Sequence, residues 1–160
     1  MFSIYLHIVV LIAVVTASHY KGGVLTYTIR SNPGNGTSDN ELIQVRIEQR
    51  HSWIRSTYFC NNTSPSSGDI IGSGALQIYG YRNSSISKIP SIDARVRCTD
   101  YSEEFNYSTG ENSTNIDLPI NNRIEYVYSS CCWITLLPPD SGSNWSLKLV
   151  INTKQRLDGT

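Results

Sequence analysis

Four cysteines and seven asparagines carry most of the chemistry available to this 160-residue chain. The cysteines are Cys60, Cys98, Cys131 and Cys132, the last two adjacent in "YSSCCWITLLPPD". Thiols can serve as redox pairs, metal ligands or disulfide staples. The sequence has neither a C-x-x-C redox pair nor the C-x₂₋₄-C or H-x₃₋₅-H spacing that a zinc site needs. Staples remain, provided that the chain matures in an oxidising compartment. The asparagines speak to that. Asn35, Asn61, Asn62, Asn83, Asn106, Asn112 and Asn144 each head an Asn-x-Ser/Thr triplet. Composition alone would give roughly three such triplets, so the excess points to the glycosylating secretory route. Asn35 and Asn112, in polar stretches with Thr at the third position, are the preferred acceptors. Glycans on both Asn61 and Asn62 would crowd each other, and Trp145 hinders transfer to Asn144.

The first residues agree. Ile8 to Val15 are all apolar, and Val15-Thr16-Ala17 offers a small-residue cleavage site before the polar Ser18-His19-Tyr20-Lys21. Residues 1–17 therefore read as a secretory signal peptide, and 18–160 as one mature domain. A membrane span needs about 20 apolar residues, and no other stretch approaches that. Formal net charge is +0, with 13 Lys+Arg against 13 Asp+Glu and no basic cluster, so a nucleic-acid partner has no electrostatic footing. Abundant Ser, Thr, Asn and Tyr fit a secreted, β-rich surface protein.

The elements that must position the cysteines and asparagines show period two. In "ELIQVRIEQ", Ile43, Val45 and Ile47 share one face; in "WSLKLVINT", Trp145, Leu147, Leu149 and Ile151 do. These are half-buried strands. "GGVLTYTIR" aligns Leu25, Tyr27 and Ile29, and "GALQIYGYR", "SIDARVRCT", "NRIEYVYSS" and "CCWITLL" are further strand candidates. "SNPGNGTSDN", "NNTSPSSGD", "YSTGENSTN" and "PPDSGSN" read as loops. No helical stripe runs for ten residues or more. The expected fold is all-β: a disulfide-stabilised antiparallel β-sandwich, Ig-like or jelly-roll-like. Four cysteines allow three connectivities. Cys60–Cys98, which joins two strand ends, is preferred, with Cys131 bridged to Cys132. The two crossed arrangements remain open.

"SHYKGGVLTYTIR", "STYFC", "CTDYSEE", "STGEN", "CCWITL" and "WSLKLVIN" together resemble the N-terminal ectodomain modules of a family of animal extracellular proteins, whose mature chains start (S/T)-H-(F/Y)-(R/K)-G-G. The similarity runs from His19 to about Asp158. It implies an extracellular location and an N-terminal module of a longer modular protein, and it carries no catalytic signature. A fragment of such a protein and a short secreted form both fit a chain ending "RLDGT". An extra cysteine pair of some relatives, between the positions of Cys60 and Cys98, is missing.

An enzyme needs convergent acid, base and nucleophile. The mature chain holds only His19 and His51, with neither G-x-S-x-G nor H-E-x-x-H. No catalytic site, metal or cofactor is expected. Asp100, Glu103 and Glu104 of "DYSEE" could offer oxygens to calcium, but a solvated acidic loop is the preferred reading. Trp133 and Trp145 sit in apolar runs and read as core. Trp53 is the least committed tryptophan and the expected ligand contact. The chain thus reads as a secreted or cell-surface glycoprotein module for protein–protein recognition or adhesion, with carbohydrate binding as the alternative.

Overall fold

The computed structural model describes residues 20–30, 41–73, 77–82, 89–130 and 144–154. Residues 1–17, read above as a signal peptide, lie outside them, as do Asn35, Asn83, Cys131, Cys132 and Trp133. In chain order the elements are β1 (Tyr20–Ile29), β2 (Leu42–Ile54), the single helical turn α1 (Ser64–Ser67), β3 (Ile70–Ile71), β4 (Gln77–Arg82), β5 (Ile92–Asp93), β6 (Val96–Ser102), β7 (Tyr107–Pro119), β8 (Arg123–Ser130) and β9 (Trp145–Asn152). They form an antiparallel sandwich. One sheet runs β1-β2-β7-β6-β3 and the other β5-β4-β8-β9.

β2 carries the clearest alternation. Ile43, Val45, Ile47, Gln49, His51 and Trp53 all point inward and are buried, while Leu42, Gln44, Glu48 and Arg50 are exposed. From the other sheet Ile124, Tyr126 and Tyr128 of β8 face them, with Trp145, Leu149 and Ile151 of β9. Each buried aromatic removes about 150–250 Å² from water, roughly 4–6 kcal/mol of gross transfer energy before entropy is subtracted. The aromatic cluster has Tyr20 at its centre. Its ring stacks on Trp145 at 3.9 Å and meets Trp53 edge-on at 4.8 Å. The first residues of β1 and β9 are therefore neighbours.

One expectation about the strands needs correction. "YSTGENSTN" is no loop: it is most of β7, which pairs along its whole length with β2 and is paired on its other side by β6. Its Ser, Thr, Asn and Glu residues are tolerated because one face of the sheet meets water. Gly110 is needed there, since a Cβ would lie 2.5 Å from the Arg97 carbonyl oxygen. In β1, Tyr27 and Ile29 do face inward with Leu25, opposite Ile47 and Val45, but they are 38 % and 50 % exposed. β1 is an edge strand, and the facing sheet has one strand fewer.

Cys60 and Cys98 form a disulfide with Cα atoms 6.3 Å apart. It pins the segment after β2 onto β6 and excludes both crossed connectivities. At the opposite pole, Thr153 ties the end of β9 to the β7–β8 turn. Its backbone N–H donates to Asn122 O at 2.9 Å, its carbonyl accepts from Asn121 N–H at 3.1 Å, and its hydroxyl donates to Pro119 O at 2.8 Å.

Candidate recognition surface

The outward residues of β2 alternate in charge: Arg46, Glu48, Arg50, then Ser52. Register sets Asn115, Ser113, Glu111 and Thr109 of β7 against them on one side, and Thr28, Thr26 and Val24 of β1 on the other. Arg97 of β6 continues the row through Glu111. This face holds a depression of about 490 Å³. A second, of about 310 Å³, shares Val24 and Arg50 with it and reaches Gly22, Ser52, Asp100, Tyr107 and Thr109. Arg46 pairs with Glu48 at 2.9 Å and Arg50 with Glu111 at 3.3 Å. Arg97 Nη1 donates to Gly68 O at 3.2 Å. Exposed pairs of this kind contribute about 0–1 kcal/mol each, so a partner could exchange them at little cost. The face supplies fixed donors and acceptors on a rigid sheet and no nucleophile–base pair. Among the described residues no cluster of three His, Cys, Asp or Glu could hold a metal.

His51, the one histidine within the described residues, is built into the core. Burial pushes its pKa down to about 4, so the ring is neutral at physiological pH. One donor order satisfies every group. Tyr20 O–H donates to His51 Nδ1 at 2.9 Å, His51 Nε2–H donates to Gln49 Oε1 at 3.0 Å, and Gln49 Nε2 donates to Asp93 O at 2.8 Å. Asp93 belongs to β5, so this relay crosses from one sheet to the other. Gly23 lies opposite His51, and a Cβ there would collide with Tyr20 Oη and His51 Nδ1.

At the disulfide end, Arg55 is held on four sides. Its Nε donates to Cys60 O at 2.8 Å and its Nη2 to Glu103 Oε1 at 2.9 Å. Its guanidinium lies 4.5 Å from the Phe59 ring centre and 5.0 Å from that of Tyr101. The β6–β7 turn docks here: Arg55 N–H donates to Asn106 O, and Ser56 N–H to Asn106 Oδ1. Asn106 takes the left-handed conformation, φ 47°, that Asn tolerates better than most residues.

Several expected sites move. Trp53 is fully buried and offers no face to a ligand. It continues the inward stripe of β2, and sequence reading missed this because Gln49 and His51 interrupt the apolar pattern. Glu103 is committed to Arg55, and Asp100 accepts from the Tyr107 hydroxyl at 3.4 Å, so "DYSEE" is not gathered around a cation. Asn112 lies on β7, exposed, with Nδ2 donating to Arg95 O at 3.2 Å. Asn62, Asn106 and Asn144 are exposed and Asn61 half-buried. The charged face itself was missed, although the alternation in "QVRIEQR" that buries Val45 and Ile47 necessarily points Arg46, Glu48 and Arg50 outward.

Comparison with curated proteins gives no match, and comparison with solved structures gives none. A family model does match, across residues 21–154, which span β1 to β9 and both the charged face and the disulfide end; the chain belongs to the family described as integrin beta-like protein A-E, N-terminal.

Proposed function

We propose that this domain is a secreted or cell-surface glycoprotein module that recognises a protein partner through the outer face of its five-stranded sheet. The observation that carries the reading is the contiguous row of Arg46, Glu48, Arg50, Glu111 and Arg97 across three strands. Fixed, alternating charges on a rigid sheet favour specificity and orientation in a protein encounter. The family description, an integrin beta-like N-terminal domain, supports an extracellular, adhesion-related setting. The carbohydrate-binding alternative loses its expected contact, because Trp53 is enclosed. The exposed sequon asparagines, including Asn62, Asn106 and Asn144, are the acceptors that make it a glycoprotein.

The test is binding of a fluorescent multimer of the domain to intact cells. The double variant Arg50→Glu/Ser113→Arg, which reverses one charge and adds another on this face, should abolish binding, whereas Thr57→Ala at the other end should not. Trypsin treatment of the cells should remove the signal, and glycosidase treatment should leave it. Loss on glycosidase treatment alone would favour the lectin alternative. Binding by the double variant at full strength would refute the face.

A further inference from the structure

Two phenylalanines stand out in water at the disulfide end: Phe59 is 58 % exposed and Phe105 65 % exposed. Each sits beside a sequon. Phe59 precedes Asn61 by two residues and Asn62 by three; Phe105 directly precedes Asn106. The three asparagine amides share one arrangement. Asn61 Oδ1 accepts from Thr63 N–H at 2.9 Å, Asn62 Oδ1 from the Tyr101 hydroxyl at 2.6 Å, and Asn106 Oδ1 from Ser56 N–H at 3.1 Å. Among the described residues none of the three Nδ2 groups has a hydrogen-bond partner. The oxygen is held, and the nitrogen that glycosylation modifies is left unengaged.

We infer that this end of the sandwich is a glycan-capped pole. A glycan on Asn106 lays its first N-acetylglucosamine on Phe105, and a single glycan on the Asn61–Asn62 pair lays its first sugar on the face of Phe59 that Arg55 leaves open. A pyranose has one face of C–H groups, whose slight positive charge suits the negative face of an aromatic ring. The contact also covers two exposed apolar rings that would otherwise invite association. In the transfer, Nδ2 attacks C1 of the reducing sugar of a lipid pyrophosphate-linked oligosaccharide. The C1–O bond to pyrophosphate breaks and the amide gives up one proton. The inference rests on the secretory reading above and adds that these glycans are structural.

The experiment uses the full chain secreted from kifunensine-treated animal cells. Endoglycosidase H leaves the first sugar on each asparagine; peptide:N-glycosidase F removes it. The expected result is a Tm lower by about 2–4 °C after the second enzyme than after the first, with the gap closed in Phe59→Ala/Phe105→Ala. Ser108→Ala deletes the Asn106 sequon, and the Ser108 hydroxyl is buried without a partner, so the fold should tolerate it. In that background Phe105→Ala should leave Tm unchanged. Equal Tm after the two enzymes, or an equal gap in the double Phe variant, would overturn the stacking while leaving the glycoprotein reading intact. Absence of glycan mass at every sequon would overturn both.

Discussion

His51 is the residue whose ionisation bears most directly on stability. Its folded-state pKa lies near 4 against an ordinary value of 6.5, with burial as the cause. The groups facing it, Tyr20, Gln49, Trp53 and Tyr128, are all uncharged. A depressed histidine pKa means that the unfolded chain binds the proton more readily. Stability is therefore full above pH 6.5 and falls as pH drops toward 4, by about 3 kcal/mol in total. The carboxylates of Asp93 and Glu125, held below their usual range by hydrogen bonds from Arg95 and Lys148, lose their contribution only at lower pH still. Urea melts at pH 7 and pH 4.5 should differ in midpoint for the native protein. His51→Gln should flatten that difference, and an unchanged pH profile would remove His51 from the account. Gly23→Ala should also destabilise, by about 1–3 kcal/mol, because its methyl would push Tyr20 off His51.

At the scale of elements, legibility followed apolar alternation. β2 and β9 could be read from sequence because a buried face repeats every second residue. β7 could not, since its length comes from pairing with β2 along all of it and not from its own side chains. The Trp53 error had the same origin: a stripe with polar members, Gln49 and His51, was cut short. Of the candidate site, the outward charges on β2 were present in the sequence but gained meaning only when register brought Glu111 and Arg97 into the same row. The Cys60–Cys98 link was anticipated as joining two strand ends, and its weight can be tested. Its sequence separation of 38 implies about 4 kcal/mol in the chain-entropy model, a large share of the roughly 5–15 kcal/mol that holds a domain. Cys60→Ala/Cys98→Ala should therefore show sharply reduced secretion and a lower Tm. Secretion and Tm equal to the native protein would show that the sheets alone suffice.

For the whole molecule, the proposals divide the surface between two regions. Glycans cap the disulfide end, and the charged sheet face stays open to a partner. Because that face works by ion pairs near water, partner affinity should weaken as salt rises from about 0.05 to 0.5 M. Titration of a purified partner at both salts measures this, and salt-independent binding would point to an apolar contact elsewhere.

The clamp at Thr153 has a mechanical meaning. β1 and β9 begin side by side, where Tyr20 stacks on Trp145, and β9 ends at the opposite pole in the knot with Pro119, Asn121 and Asn122. A pull applied at Tyr20 and Thr153 therefore runs along both edge strands. Their ladders to β2 and β8 are loaded in shear, many hydrogen bonds at once, and do not unzip one by one. Drawn between those two points in a force spectrometer, the domain should yield in one abrupt step at high force. Thr153→Ala should lower that force by letting the end of β9 peel.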